Sequence, residues 1–302
     1  MKLVGFRLPG EDRIRVARLE GSTLTVVTDV VGFWQDPSGW TASGPAAGAE
    51  TFDLTEVELA PAVLPSARVI CVGLNYRAHA AEGSFRDEVL PPYPTLFARW
   101  TASLSVSGNP APIPSDEDGL DWEGEIAAFI GSTLVDADSD TARKAVIGYA
   151  AFNDLTSRKA QKLTSQWILG KNGDNSGPLG PIVTVDEVGD LREGLRVQTR
   201  VNGTVVQDGN TRDMIYELGE VLAFISRTFT LNPGDIICTG TPAGVGYART
   251  PPWLLHPGDT VEVEVERIGT VTTPIVGNDY RYGSSAAASV RSEASVAIRV
   301  AQ

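Results

Sequence analysis

Leu120-Asp121-Trp122-Glu123-Gly124-Glu125-Ile126-Ala127-Ala128-Phe129-Ile130 sets a cluster of carboxylates directly against an unbroken apolar run. In an extended chain, residues two apart share a face, so Glu123 and Glu125 project together, in line with Ala127 and Phe129. That face continues into a core. Two carboxylates at its edge repel each other and lose solvation, an expensive arrangement unless a cation neutralises them. Oxygen donors on a rigid strand suit Mg²⁺ or Mn²⁺ better than zinc. A solvated acidic turn is the other reading, because Asp116, Glu117, Asp118 and Asp121 crowd just upstream. Spacing leaves both open.

Outward from this strand, apolar or alternating runs recur at Val146–Phe152, Leu195–Val201, Ile236–Thr239 and Thr260–Val265, each bounded by Gly, Pro, Asn or Asp, the pattern of strands between turns. Helical spacing is concentrated at Met214–Phe229, where Ile215, Leu218, Leu222 and Ile225 recur three or four apart. Asn202-Gly203 and the Pro-Gly-Asp triplets at 233–235 and 257–259 read as hairpin signals, favouring a β-roll or distorted barrel over a doubly wound sheet. On the N-terminal side, Ile14–Leu19 and Thr23–Val27 alternate and are broken by Gly21, Gly32 and Pro37, as small antiparallel strands would be. The expected fold is mixed and mainly β with few helices. It divides into a small N-terminal β-domain (1–64), a main domain (65–277) and an Ala/Ser-rich C-terminal tail (278–302).

The 302 residues carry 25 basic and 38 acidic side chains, a formal charge of −13. Such a field repels nucleic acid and anionic membrane surfaces, so neither is an expected partner. An anionic ligand needs a local reversal of sign, by a bound cation or by inward Arg and Lys. Only Cys71 and Cys238 are present, which excludes a disulfide framework and fits a reducing, cytoplasmic setting. Met1–Gly10 lacks the apolar core of a signal peptide, and no window approaches 18 consecutive apolar residues.

Three further groups carry chemistry in combination. Asp154 follows the apolar run Val146–Phe152; alone it reads equally as an Asx-turn or helix cap. His79 and Glu82 lie three apart in Asn75-Tyr76-Arg77-Ala78-His79-Ala80-Ala81-Glu82 and share a helical face. They can serve as general base and orienting carboxylate, although an isolated pair of this kind is more often a surface contact. The polar, Gly-containing continuation makes segment 76–90 an expected mobile lid. Thr239-Gly240-Thr241-Pro242-Ala243-Gly244-Val245-Gly246 lacks the Lys and Ser/Thr that complete a phosphate loop, yet its backbone and hydroxyls can hold a carboxylate. No Gly-x-Ser-x-Gly elbow occurs, and two Cys with two His lack zinc-finger spacing. Cys71 near His79 is a conceivable nucleophile, although a buried strand cysteine is the commoner case.

Taken in order, these pieces resemble the fumarylacetoacetate hydrolase family over roughly residues 66–275, particularly its bacterial acylpyruvase, fumarylpyruvate hydrolase and hydroxydienoate isomerase types. The resemblance rests on Val72-Gly73-Leu74-Asn75-Tyr76 with His79 and Glu82, Asp121-Trp122-Glu123-Gly124-Glu125, Asn153-Asp154, Gly170-Lys171, Gln207-Asp208-Gly209-Asn210-Thr211 and the 239–246 turn. It implies a β-roll core, a homodimer, and a magnesium or manganese ion on Glu123, Glu125 and Asp154. His79 and Glu82 would form a catalytic dyad on a lid; Arg158, Gln161, Lys171 and Thr241 would contact a small 2-oxo acid, with Lys171 also catalytic. Two departures stand out: Lys159 replaces a usual Asp, putting a positive charge beside the site, and Arg99-Trp100 replaces a usual Lys-Pro.

Family chemistry implies a metal-stabilised enolate, reached by hydrolysis, decarboxylation or isomerisation. Hydrolysis of a C–C bond in an acylpyruvate is the first expectation, with His79 activating water. Decarboxylation or isomerisation of an oxaloacetate-like or 2-hydroxydienoate substrate is the alternative. A metal-binding relative without catalysis is a second alternative if Lys159 distorts the site.

Overall fold

The computed structural model describes residues 1–82 and 92–282. Its larger sheet runs, strand beside strand, through Thr51–Asp53, Thr23–Asp29, Arg15–Glu20, Lys2–Arg7, Ile182–Thr184, Val146–Asn153, Gly124–Ile130, Ile236–Cys238, Val69–Gly73 and Thr95–Arg99. A second sheet runs through Thr204–Asn210, Arg196–Val201, Thr260–Val265, Gly269–Val276 and Ala111–Pro112. Both have free ends among the described residues, so the architecture is mainly β, with two mixed sheets rather than a closed barrel.

Gly124–Ile130 lies at the centre, and every residue of it is buried. Ile126, Ala128 and Ile130 meet Val197, Val263, Val265 and Val271 of the second sheet, together with Leu218, Val221, Leu222 and Ile225 of a helix. On the opposite face Ala127 and Phe129 meet Cys71, Cys238, Phe152 and the N-terminal residues Leu3, Phe33 and Trp34. A strand buried on both faces needs apolar residues at successive positions, which is why Ile126–Ile130 is continuous rather than alternating.

Several local expectations are corrected. Gly32 and Pro37 do not break strands; they lie in helices Val30–Gln35 and Pro37–Ser43. Asp29 and Asp36 cap those helices by accepting from Gly32 N–H (2.8 Å) and Gly39 N–H (3.0 Å), and Pro37 occupies a first turn, where its missing N–H costs nothing. The helix expected over Met214–Phe229 is confined to Leu218–Ser226. Asn75 takes the amides of Ile215 (2.7 Å) and Tyr216 (2.9 Å), leaving Glu217 and Glu220 to cap the helix reciprocally. Asn202-Gly203 makes the expected two-residue hairpin, with both residues at positive φ. The Pro-Gly-Asp triplets instead introduce Ile236–Cys238 and Thr260–Val265 from loops, with Asp235 and Asp259 accepting from Asn232 N–H and His256 N–H.

The boundary expected near residue 64 falls between Glu58–Ala60 and Val69–Gly73. Across it, Lys2–Arg7 is hydrogen-bonded to Ile182–Thr184 in the same sheet. Of the C-terminal tail, Asn278–Tyr282 forms a short 3-10 turn, and residues 283–302 lie outside the described residues. Among the described residues no helix is long and apolar enough to cross a membrane.

Trp34 ties the N-terminal segment to the centre: its ring stacks on Phe129 at 6.1 Å and its indole N–H donates to Ala62 O at 2.8 Å. Trp34→Ala should therefore destabilise the protein by the roughly 3–5 kcal/mol typical of removing a buried aromatic. Urea unfolding should show one transition moved to lower concentration. An early transition confined to one part of the chain would mean instead that the N-terminal residues unfold independently.

Candidate metal centre and its approaches

Two antiparallel neighbours bring the acidic residues together. Gly124 pairs with Asn153 and Glu125 with Phe152, so Asp154 emerges opposite Glu123, its amide donating to Glu123 O at 2.9 Å. Cross-strand partners share a face. Carboxylate oxygens of Glu123, Glu125 and Asp154 consequently lie within 4.8 Å of one another, and all three residues are buried. The acidic stretch is therefore not a solvated turn at Glu123 and Glu125; solvent is kept for Asp116 and Asp118.

Three cations enclose the triad. Lys171 Nζ donates to both Glu123 and Asp154 at 2.6 Å. Arg158 donates to Glu123 at 2.6 Å and to Asp121 at 2.8 Å, and its third nitrogen reaches Gln161 Oε1 at 3.0 Å. Arg99, fully buried, bonds Asp154 Oδ1 and, at 2.6 Å, Ser176 Oγ. Burial alone would raise the Glu123 carboxyl, but the charges of Lys171 and Arg158 outweigh it and hold it well below the ordinary carboxylate range. For Lys171, burial is likewise overcome by Asp154 and Glu123, and its ammonium is held above the usual lysine value.

Glu125 is the exception. It has no salt bridge among the described residues and accepts a hydrogen bond from Gly240 N–H at 3.0 Å. Burial first, then the charges of Asp154 and its neighbours, push its carboxyl well above the ordinary value. Four carboxyl groups, counting Asp121, face three cations among the described residues, so ionising all four would leave one negative charge uncompensated, at Glu125. An oxygen-only donor set with that residual charge fits a hard divalent cation such as Mg²⁺ or Mn²⁺.

His79 approaches from the short helix Arg77–Ala80 and Glu82 from the turn that follows it. His79 Nδ1 lies 3.4 Å from Glu82 Oε2, and the imidazole is close enough to Glu123 to lower that carboxyl's pKa. Glu82 is not a loose surface residue: both its oxygens accept from Gly244 N–H, at 2.8 and 2.9 Å. The 239–246 turn thus grips Glu82 through Gly244 and Glu125 of the acidic triad through Gly240. Residues 83–90 of the expected lid lie outside the described residues.

The two departures resolve differently. Lys159 does not enter the site; its ammonium is largely exposed and pairs with Asp118 at 2.6 Å. Arg99 does enter it, in direct contact with Asp154. That role was visible in the sequence only as an unusual residue near Phe97. Also unassigned by sequence reading were Asp121, which accepts from the amides of Trp122, Gly246 and Tyr247 while holding Arg158, and Asn75, whose side chain joins Tyr216 to Thr239. Cys71 is paired in register with Cys238 in the core, and burial and that neighbour raise its thiol, which removes it as a nucleophile.

A profile of the family described as "Fumarylacetoacetate (FAA) hydrolase C-terminal" matches residues 68–276. The chain is 39% identical over 233 residues to an oxaloacetate tautomerase of Bacillus subtilis (strain 168), covering 76% of each chain. The solved structure of a fumarylacetoacetate hydrolase from psychrophilic Exiguobacterium antarcticum superposes with a TM-score of 0.76 at 33% identity, over 92% of this chain and 100% of that one. A 5-carboxymethyl-2-hydroxymuconate delta-isomerase from Mycobacterium smegmatis gives 0.74 at 31% identity, with the same coverage.

Because the fold raises the Glu125 pKa, metal-free protein should lose stability as pH climbs from the ordinary carboxylate range toward that raised value, where the native state must give up a proton it holds tightly. Glu125→Gln should remove that slope and raise the melting temperature of metal-free protein at pH 8, each 1 kcal/mol appearing as roughly 2 °C. Calorimetric Mn²⁺ affinity should fall by more than the roughly 10–100-fold typical of losing a supporting residue. An unchanged melting temperature together with retained Mn²⁺ binding would remove Glu125 from the centre.

Proposed function

The chain belongs to the fumarylacetoacetate hydrolase family, and from that premise we propose that it interconverts the enol and keto forms of a small oxaloacetate-like 2-oxo acid, with Mg²⁺ or Mn²⁺ on Glu123, Glu125 and Asp154. The observation that carries this reading is the His79–Glu82 pair held by Gly244 N–H beside the triad. A cation there would draw electron density from the substrate's 2-oxo group and stabilise the enolate. Tautomerisation then needs one proton removed and one returned, which a single dyad can manage. His79 carries the proton, and Glu82 orients the imidazole and balances its charge when protonated. Arg158 and Lys171 keep the carboxylates ionised and, with Gln161 and Thr241, present donors to the substrate's carboxylate. The relationship to the Bacillus subtilis tautomerase supports the same choice.

Hydrolysis of an acylpyruvate is the second reading, favoured by the relationship to the Exiguobacterium hydrolase. It needs the same dyad plus a water lodged between His79 and the distal carbonyl. The outward Lys159 removes the reason for a non-catalytic relative. A homodimer in the cytoplasm belongs to this proposal through the family resemblance and the two free thiols.

Oxaloacetate, its enol form and a panel of acylpyruvates, assayed with added Mg²⁺ or Mn²⁺, separate the readings. Ketonisation of the enol should be the fastest reaction, and His79→Ala should lower it by roughly the 10²–10⁴-fold of a lost general base while Mn²⁺ affinity is kept. Full ketonisation activity in His79→Ala would make the dyad assignment wrong. Faster acylpyruvate cleavage than ketonisation would make hydrolysis the primary reaction.

A further inference from the structure

Gln207 lies outside the reaction just proposed, yet it is buried and all its bonding capacity is used. Its Oε1 accepts from Gly124 N–H at 3.0 Å and from the Thr199 hydroxyl at 2.7 Å. Its Nε2 donates to Pro242 O and to Thr241 Oγ, both at 2.8 Å. One side chain therefore joins the glycine between the two metal-site glutamates to the turn that holds both Glu125 and Glu82.

The contacts also fix which way the amide faces. Gly124 N–H can only donate and Pro242 O can only accept, so the carbonyl end must meet Gly124 and the NH₂ end Pro242. The second N–H of that NH₂ then points at Thr241 Oγ and occupies a lone pair. The Thr241 hydroxyl cannot give its proton to Gln207, and no other acceptor for it is found among the described residues. Local shape enforces the same arrangement. A Cβ on Gly209 would lie 2.3 Å from Pro242 Cβ, one on Gly244 would lie 2.2 Å from Val206 O, and one on Gly124 would lie 2.3 Å from Thr199 Oγ. The Gln-Asp-Gly stretch at 207–209 is thus a seat for the 239–246 turn, its glycine clearing room for Pro242.

We infer that Gln207 is a positioning residue that compels the Thr241 hydroxyl to act as a donor toward an anionic oxygen of the ligand. The inference rests on the proposed reading in which Thr241 faces the substrate carboxylate. A hydroxyl held as a donor favours a carboxylate over a neutral ester or amide at that position, because a hydrogen bond to a charged oxygen is roughly twice as strong as one to a neutral carbonyl. The selectivity for a free acid follows from an amide that never touches the substrate.

Oxalate binding to the Mn²⁺-loaded protein, followed by calorimetry, tests this. Thr241→Val should weaken oxalate by about 10-fold or more, as for loss of a hydrogen bond to a charged group. Gln207→Glu supplies an acceptor that captures the hydroxyl proton, and should cost a similar factor while Mn²⁺ affinity in the absence of oxalate moves by less than ~3-fold. The double variant should bind oxalate no more weakly than Thr241→Val alone. Gln207→Met frees the hydroxyl without capturing its proton, so its loss should be smaller than that of Gln207→Glu. A merely structural role predicts the reverse order, because Met forfeits all four bonds, and that order would overturn the inference; so would equal losses from Gln207→Glu with and without Thr241→Val. Unchanged oxalate binding in Thr241→Val would instead remove Thr241 from the substrate site and take the inference with it.

Discussion

Three carboxylates buried within 4.8 Å of one another are the constraint to which the surrounding structure answers. Like charges withdrawn from water are tolerated only where other charges and donors replace the solvent. Arg99, Arg158 and Lys171 come from separate segments and converge on Asp121, Glu123 and Asp154. Removing one member of such a buried set leaves its partner uncompensated, which is usually more damaging than the pair is stabilising. The compensation stops short at Glu125, whose carboxyl is pushed up first by burial and then by the neighbouring negative charge of Asp154. An acidic cluster with one carboxyl group lacking a cationic partner has a charge balance that a bound cation would complete.

The central strand and its acidic edge were legible in sequence because both obey local rules. Side-chain alternation fixed the shared face of Glu123 and Glu125, and an apolar run of strand length fixed the burial of Ile126–Ile130. The Asn202-Gly203 hairpin was readable for the same reason, since a two-residue turn at positive φ has few sequence solutions. Asp154, by contrast, became a candidate ligand only through ordered resemblance; its approach to Glu123 depends on the register between two strands, which no single strand encodes. The two N-terminal helices were missed because Asp29 and Asp36 resemble turn residues as closely as they resemble caps.

What lay beyond sequence reasoning is mostly what joins segments far apart in the chain. Arg99 looks like any basic residue at the end of an edge strand until Gly177 is seen to leave space beside it. A Cβ there would lie 3.2 Å from two of the guanidinium nitrogens. Asn75 and Gln207 are amides whose value lies in having donor and acceptor on one rigid group, so that each can bind two segments at once. Their partners are backbone groups or hydroxyls, invisible to any reading of charge or periodicity. Lys159 shows the converse: its charge was conspicuous in sequence, but one step along a short helix turned it to solvent and Asp118.

The balance of charge also orders the events at the site. With Glu125 protonated, the three ionised carboxylates only balance the three cations, and the protein as a whole is at −13, so a dicarboxylate approaching the proposed centre without a metal ion meets repulsion at long range and no net attraction at short range. A divalent ion displacing the Glu125 proton would change the local sum from zero to one positive, and at close quarters in a low-dielectric pocket the local sum dominates the distant field, which salt screens within about 10 Å. In the proposed reaction the cation would therefore arrive before or together with the anion. Its entry would also draw the proton from Glu125, because a ligand must be ionised to coordinate. On that proposal, metal binding, loss of that proton and the appearance of affinity for a 2-oxo acid would be one coupled event, and the residue coupling them would be the carboxyl group of the cluster that has no cationic partner among the described residues.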